Sequence, residues 1–398
     1  MKILLIVPEY PPYHIGGGGI VFQNIAEYLV KLGHEVMVAY GYHQTRLFFE
    51  KPRFYKRNNV KLVQLPLLPT PISKVFLTSV MPPNILSVVY LIKLIYQEKT
   101  DVVHLHGYGF PLIDISAMIC RIFNKKYIIT LHGTPKTPDK KGGNLKMIFN
   151  LYSKIFGNHT LTYSKKITCV SKSVMNESVF SKFKYKIKII YNGINLDIYK
   201  NKENKNKENL VAKRYSLDSN AYVILSIGRI QWLKGFQFAI EAINLILRER
   251  QNVVYLIAGK DGGYQQQLKE LTIQLGLDKN VIFPGFLDID DKKSLIFDSD
   301  VILIPSLEES FGLVGLEAMA TGTPIISSKS GGLGEYLEDN KTALIINPYD
   351  PQDIKNKLNR LIDDDILRES LIKNGLKTVK NFEWILIVDK YLKVYGSI

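Results

Sequence analysis

The chain has 398 residues, 46% hydrophobic and 22% charged, with 52 Lys and Arg against 37 Asp and Glu for a net charge of +15. These values exclude intrinsic disorder and collagen-like order, and the length suits two or three domains that each bury a core. Two cysteines, Cys120 and Cys169, cannot build a disulfide framework or a CxxC metal site, which fits a reducing compartment. The opening apolar run, Ile3 to Val7, is too short for a signal-peptide core and lacks a small-residue cleavage site.

Apolar runs predict strands over residues 2–7, 35–40, 60–65, 101–105, 127–131, 167–170 and 187–190. A second series falls at 222–228, 253–258, 281–283, 300–304, 324–327 and 343–346. Helical patterns at 20–32, 110–123, 235–249, 264–275 and 312–321 lie between them. Strands that are apolar throughout are covered on both faces, so the alternation predicts parallel sheets with crossover helices, twice over. Between the halves, Asn201 to Asn209 is charged and without periodicity, which predicts a linker. The expected fold is α/β: two doubly wound parallel-sheet, Rossmann-like domains facing a cleft.

Charge divides unevenly along this plan. Residues 1–200 hold 27 Lys and Arg against 10 Asp and Glu, and residues 201–398 hold 25 against 27. A basic first half implies an acidic partner, whether anionic lipid, a phosphate-bearing substrate or nucleic acid. The apolar stretch 75–97 has Lys93 as its only charge, but Pro82-Pro83 divides it into pieces too short to span a bilayer. Residues 84–97 then read as one amphipathic or buried helix. Nearby, Phe48, Phe49, Phe54 and Tyr55 interleave with Lys51, Arg53, Lys56 and Arg57, as either an interfacial membrane surface or a solvated basic loop. The aromatic residues fall largely at core spacing, so a nucleic-acid stacking platform is not expected.

Open α/β sheets bind ligands beyond the carboxyl ends of their strands, so those segments carry the chemistry. Gly16 to Gly19 follow the first strand and open a helix at about residue 20, where backbone amides and the helix dipole suit an anion. The run lacks G-x-G-x-x-G order, and no P-loop occurs, so dehydrogenase and P-loop chemistry lose support. After strand 222–228, Arg229 and Lys234 place two cations across one strand-to-helix turn, a pairing that suits a diphosphate. After strand 300–304, Glu309 lies in a loop, and Glu317 sits on the helix that the amides of Phe311, Gly312 and Leu313 lead into. Those amides suit a phosphate, and each carboxylate suits a sugar diol. His104 and His106 share one strand face and read as packing residues rather than a metal pair. Asp288-Ile289-Asp290 and Asp298-Ser299-Asp300 imitate a metal-binding DxD, but their positions predict turn and cap roles. Cys120 and Cys169 read as small core residues.

The set Arg229, Lys234, Glu309 and Glu317 resembles the GT-B retaining glycosyltransferases of family GT4. The resemblance extends over Asn192-Gly193-Ile194-Asn195, Phe283-Pro284-Gly285-Phe286, Leu316 to Pro324 and Gly331 to Glu335. In the first half it extends over Gly33 to Val36, Asp101 to Gly107 and Leu131 to Thr134. It implies an acceptor-binding domain at 1–199, a linker at 200–210 and a nucleotide-sugar-binding domain at 211–375. A C-terminal helix at 376–398 is expected to pack back on the first domain. Arg229 and Lys234 would hold the diphosphate, Glu309 the donor-sugar hydroxyls and Glu317 the ribose, with amides of Phe311, Gly312 and Leu313 assisting. His132 would lie near the transferring carbon, and an amide of Gly17 or Gly18 would meet the distal phosphate. Domain closure would assemble these groups and exclude water. The family pattern implies a UDP- or GDP-sugar as substrate, no cofactor and no metal. It also implies a glycan or polyprenyl-linked acceptor and a cytoplasmic enzyme. With the basic first half, it fits peripheral contact with anionic membrane and no nucleic-acid partner. The competing readings are a sugar-nucleotide epimerase or phosphorylase on the same architecture, and a catalytically dead basic binding module.

Overall fold

A computed structural model describes residues 1–12, 17–42, 50–68, 81–134, 147, 151–199, 214–215, 217–218 and 220–398. The chain forms two compact units, one of Met1–Asn192 with Trp384–Ile398 and the other of Gly193–Glu383. The chain thus leaves the first unit ahead of the segment 200–210, which lies outside the described residues.

The first unit is built on β1 (Lys2–Val7), β2 (Glu35–Tyr42), β3 (Arg53–Arg57), β4 (Val60–Pro66), β5 (Val102–His106), β6 (Tyr127–Leu131), β7 (Lys166–Cys169) and β8 (Ile187–Ile189). They form one sheet in the order β3-β4-β2-β1-β5-β6-β7-β8. Every pairing is parallel except β3 with β4. Ile3 to Val7 of the central β1 are fully buried, which is why this strand is an unbroken apolar run. Helix α1 (Gly17–Lys31) follows it and buries Val21, Phe22, Ile25, Ala26 and Leu29, one stripe at helical spacing. Lys31 sits in its last turn, and Gly33, at φ +82°, lets the chain reverse toward β2.

Strand β3 is an element that an apolar pattern could not reveal. Its five residues, Arg53 to Arg57, are all exposed, and it adds antiparallel to the edge of an otherwise parallel sheet. Its Arg and Lys side chains discourage a further strand from pairing there. The basic-aromatic segment is therefore in part an edge strand rather than a loop; Phe48 and Phe49 lie outside the described residues. Helix α2 (Ile85–Ile92) starts at Asn84, whose side chain accepts from the Ser87 amide at 2.7 Å, and it passes into a π-helical turn over Lys93–Gln97. Helix α3 (Pro111–Ile122), with Pro111 at its first position, crosses from β5 to β6.

The second unit carries β9 (Tyr222–Ile227), β10 (Val253–Ala258), β11 (Val281–Gly285), β12 (Val301–Ile304), β13 (Ile325–Ser328) and β14 (Leu344–Ile346). The order is β11-β10-β9-β12-β13-β14 and all pairs are parallel. The helices are α4 (Phe236–Ile246), α5 (Gln265–Gln274), α6 (Ile289–Asp298), α7 (Leu313–Thr321), α8 (Pro351–Asp363) and α9 (Asp365–Thr378). Ile240, Ile243 and Ile246 of α4 pack with Leu358 and Leu361 of α8 in one core over the sheet.

The last helix, α10 (Trp384–Tyr395), belongs to the first unit. It buries Trp384, Ile387, Val388, Tyr391, Val394 and Tyr395. The Tyr395 hydroxyl meets His104 Nδ1 at 2.7 Å, while His104 Nε2 meets Thr130 Oγ1 at 2.6 Å. His104 is fully buried, so loss of either partner strands a polar atom. Tyr395→Phe is expected to cost about 1–3 kcal/mol, read as a lower denaturation midpoint of the first unit. An unchanged midpoint would remove this bond from the account of how α10 is held.

Candidate active site

In each sheet the strand order reverses beside the first strand, and the predicted site residues follow the strands that flank that point, except His132, which follows β6, one strand beyond it. In the second unit the switch lies between β9 and β12. Beyond β9 the chain makes a single 3-10 turn, Trp232–Lys234, closed by Gly235 at φ +70°. A Cβ at Gly235 would stand 1.9 Å from the Pro305 carbonyl oxygen, so only glycine lets this turn lie against the segment beyond β12. Leu307 N donates to Leu233 O at 2.9 Å and ties the two segments together. As a result Lys234 Nζ forms an ion pair with the Glu309 carboxylate, each side chain about one-fifth exposed, at 22% and 19%. On the other side of Glu309, a Cβ at Gly331 would stand 1.7 Å from its carbonyl oxygen. Glu309 is thereby held by backbone packing as well as by its cation.

The Arg229 stem runs over Gly262, where a Cβ would come 2.9 Å from Arg229 Cγ and 2.3 Å from Gln231 Cγ. Further on, Gly312 takes φ +88° as the N-cap of α7, and the Tyr336 hydroxyl donates to its carbonyl. The Phe311 side chain is buried against Tyr336 and Phe382, at ring-centroid distances of 5.5 and 6.3 Å. Phe311 and Gly312 therefore have only backbone to offer a ligand. The helix begins at Leu313, so the amides of its first turn carry the positive end of the dipole. One turn later, Glu317 is 7% exposed, and its carboxylate pairs with Lys292 Nζ of α6 at 2.6 Å. Burial and the Glu317 carboxylate beside it push the Tyr199 hydroxyl above its ordinary range.

In the first unit, His132 directly follows β6, and Gly17 opens α1. Gly16 lies outside the described residues, and the Glu9 carboxylate would stand 3.7 Å from a Cβ at Gly18. His132 Nε2 lies 3.2 Å from His106 Nδ1, and Phe22 of α1 meets the His132 ring edge-on at 5.2 Å. Burial pushes His132 down to about 4, and holds His104 and His106 well below the ordinary imidazole range. The two histidines of β5 are fully buried, as expected of packing residues. Asp288 caps α6 by accepting from Asp291 N at 2.8 Å, whereas Asp300 accepts from Val223 N of β9 at 2.7 Å and so ties the start of β12 to its neighbour instead of capping a turn. Both cysteines are buried thiols, and Cys169 Sγ donates to the Ser171 carbonyl at 3.2 Å. Among the described residues, no group of three or more His, Cys, Asp or Glu side chains is disposed to hold a metal ion. No described helix is long and apolar enough to cross a membrane.

Four contributors have no signal in a single sequence: Lys292 on Glu317, Tyr336 on the Gly312 carbonyl, Gly262 under Arg229, and His106 against His132. Each joins segments that the fold, rather than the local pattern, brings together.

The sequence profile described as "Glycosyltransferase Family 4" matches residues 15–198, and that described as "Glycosyl transferases group 1" matches residues 207–378. An uncharacterized glycosyltransferase of Methanocaldococcus jannaschii is 31% identical over 99% of this chain and 98% of its own length. The N-acetyl-alpha-D-glucosaminyl L-malate synthase of Bacillus anthracis is 25% identical over 100% of this chain and 98% of its own. Among solved structures, the Anabaena protein HepE in complex with UDP-glucose matches with a TM-score of 0.75 at 18% identity, over 100% of both chains. The two parallel-sheet α/β domains are those of the GT-B fold. The chain belongs to the family 4, group 1 glycosyltransferases.

The buried imidazoles carry a pH dependence. His132 titrates near 6.5 when unfolded and about 4 when folded, so below neutrality the unfolded chain takes up protons that the folded unit refuses. The stabilising contribution is complete above the unfolded value and is lost as pH falls toward the folded one. The thermal midpoint of the first unit is expected to drop between about pH 7 and about pH 5, and to drop less in His132→Gln. An equal drop in both proteins would show that other groups set it.

Proposed function

We propose that this glycosyltransferase is a retaining enzyme that uses a UDP- or GDP-sugar and needs neither cofactor nor metal. The observation that carries this reading is the Lys234–Glu309 ion pair at the β9/β12 switch point. It sets a cation and a sugar-diol acceptor side by side, with Arg229 leading into the same turn and the α7 amides opening the next segment. In this reading the bond from the anomeric carbon to the phosphate oxygen breaks, and negative charge collects on the diphosphate. Arg229, Lys234 and the amides of Phe311, Gly312 and Leu313 stabilise that charge where it develops, which supports turnover without a divalent ion. The acceptor hydroxyl gives its proton to the departing phosphate oxygen and bonds the same face of the sugar, so configuration is retained. Glu309 takes donor-sugar hydroxyls, and Glu317, held in place by Lys292, takes the ribose diol. For the first unit, the proposal gives His132 the donor sugar and an amide of Gly17 or Gly18 the distal phosphate. The similar HepE chain was solved with UDP-glucose bound, which supports a donor of this class.

Lys234→Ala and Glu309→Ala are each expected to lower kcat by about 100- to 1,000-fold with the fold intact. Near wild-type turnover in either would overturn the site assignment. With EDTA present, one family of nucleotide diphosphates at 100 times its Kd should add ~2.7 kcal/mol to stability. No response to any nucleotide by the folded protein would favour a binding module with a dead site.

The acceptor in this reading is a glycan or a polyprenyl- or other lipid-linked molecule at the cytoplasmic membrane face. Its support is the exposure on the first unit of Phe54 with Arg53, Lys56 and Arg57 on β3, and of Ile85 and Val89 on α2 with Lys93 at its end. Phe54 and Tyr90 pack at 5.6 Å and join β3 to α2. The protein is expected to float with anionic vesicles at low salt, and Arg53→Glu with Lys56→Glu should abolish this, each charge contributing about 1 kcal/mol. Absence of flotation at low salt would exclude the membrane contact.

A further inference from the structure

The first unit holds a line of side chains of which only the last, His132, has a proposed substrate contact. From α10 inward it runs through Tyr395, His104, His106 and His132. The rings of His104 and His106 lie 3.9 Å apart on the buried face of β5, and His106 stacks on His132 at 5.5 Å with an interplanar angle of 28°. Phe22 covers the His106 ring at 4.9 Å and braces His132 edge-on, so both rings are boxed in by α1. His104 is satisfied at both nitrogens by Tyr395 and Thr130, and Thr130 is in turn 2.6 Å from Thr168 Oγ1. His106 is different. Its Nδ1 meets His132 Nε2 at 3.2 Å, while its Nε2 is buried and finds no hydrogen-bond partner among the described residues.

That asymmetry decides where the protons sit. Both rings are neutral, because burial disfavours their charged forms. One proton therefore lies between His106 Nδ1 and His132 Nε2. If His132 donated it, His106 would carry its own proton on Nε2, leaving an orphaned N–H in the core, the rarest kind of unsatisfied group. If His106 donates from Nδ1, its Nε2 keeps only a bare lone pair, a smaller loss. His132 Nε2 is then an acceptor, and its proton lies on Nδ1, the nitrogen that His106 leaves for other partners.

We propose that His106 is a positioning residue that locks His132 in its Nδ1–H form, so that His132 serves the donor sugar as a hydrogen-bond donor to a hydroxyl oxygen and not as a base. The proposal rests on the reading that His132 contacts the donor sugar, and it extends that reading by assigning the polarity of the contact. Thr130, Tyr395 and Phe22 act further back, holding the two β5 rings so that this polarity cannot reverse by a ring flip.

The test separates the tautomer from the sugar contact. Long-range 1H–15N correlation spectra of the labelled protein distinguish protonated from bare ring nitrogens, and with seven histidines in the chain the spectrum is tractable. His132, identified by the signals lost in His132→Asn, is expected to be protonated at Nδ1 and bare at Nε2. In His106→Leu the His132 signals should shift toward the Nε2–H form, and kcat should fall by about 100-fold while KM for the acceptor stays unchanged. His106→Asn, whose amide nitrogen restores a donor near the Nδ1 position, should recover most of the rate and the wild-type tautomer. A wild-type His132 protonated at Nε2 overturns the proposal, as does a His106→Leu protein whose His132 tautomer is unchanged. If His106→Leu does not fold, the wild-type spectrum and His106→Asn still decide. If His132→Asn retains full transfer, the sugar contact fails while the tautomer assignment stands or falls on the spectra alone.

Discussion

A parallel strand buried on both faces cannot carry charge along its length, and this constraint organises the whole molecule. β1 past its first residue Lys2, β10 and β12 carry no charge, and the one buried hydroxyl of β9, Ser226, is spent on the Leu303 carbonyl, so polar chemistry is displaced to the residues just past the carboxyl ends. Adjacent strands of the same direction bring those ends together. In the second unit the neighbours β9 and β12 deliver Lys234 and Glu309, which are 75 residues apart in the chain, into one ion pair. The crossover helices then leave the same points with their N-termini first, which supplies amides where the cations already are.

Close approach of these segments depends on glycine. Gly235 against the Pro305 carbonyl and Gly331 against the Glu309 carbonyl are contacts that any Cβ would break. The side chains around the site are consequently positioned by main chain, which moves less than rotamers do. Lys292 and Glu317 show the complementary device, a mostly buried pair in which each charge is costly alone and stable with its partner. Such a carboxylate is set in position before any ligand arrives.

The first unit solves a different problem. Its sheet is capped by α10, a helix from the far end of the chain, and the Tyr395–His104 bond links that helix to the middle of β5. The same strand places His106 against His132, so what tethers the C-terminus lies one ring away from a predicted site residue. Packing and site chemistry share side chains here. The edge of the sheet has the opposite character, with β3 wholly exposed and basic.

The strand and helix pattern was legible in the sequence because burial on both faces forces long apolar runs, and those runs need no neighbour to be recognised. The order Arg229, Lys234, Glu309, Glu317 was legible for the same reason, since each follows a strand or opens a helix whose place was already plain. β3 was not, because an exposed edge strand has no apolar face and its residues, Arg53 to Arg57, read as either an interfacial surface or a solvated loop. Nor were the pairings of Lys292 with Glu317, Tyr336 with Gly312 and His106 with His132, which span 25, 24 and 26 residues and join separate elements. A single sequence records which side chains are present at strand ends and helix starts. Which of them meet, and which nitrogen of a histidine is left to act, depends on strand order and on which buried atoms find partners, and these exist only once the sheet has assembled.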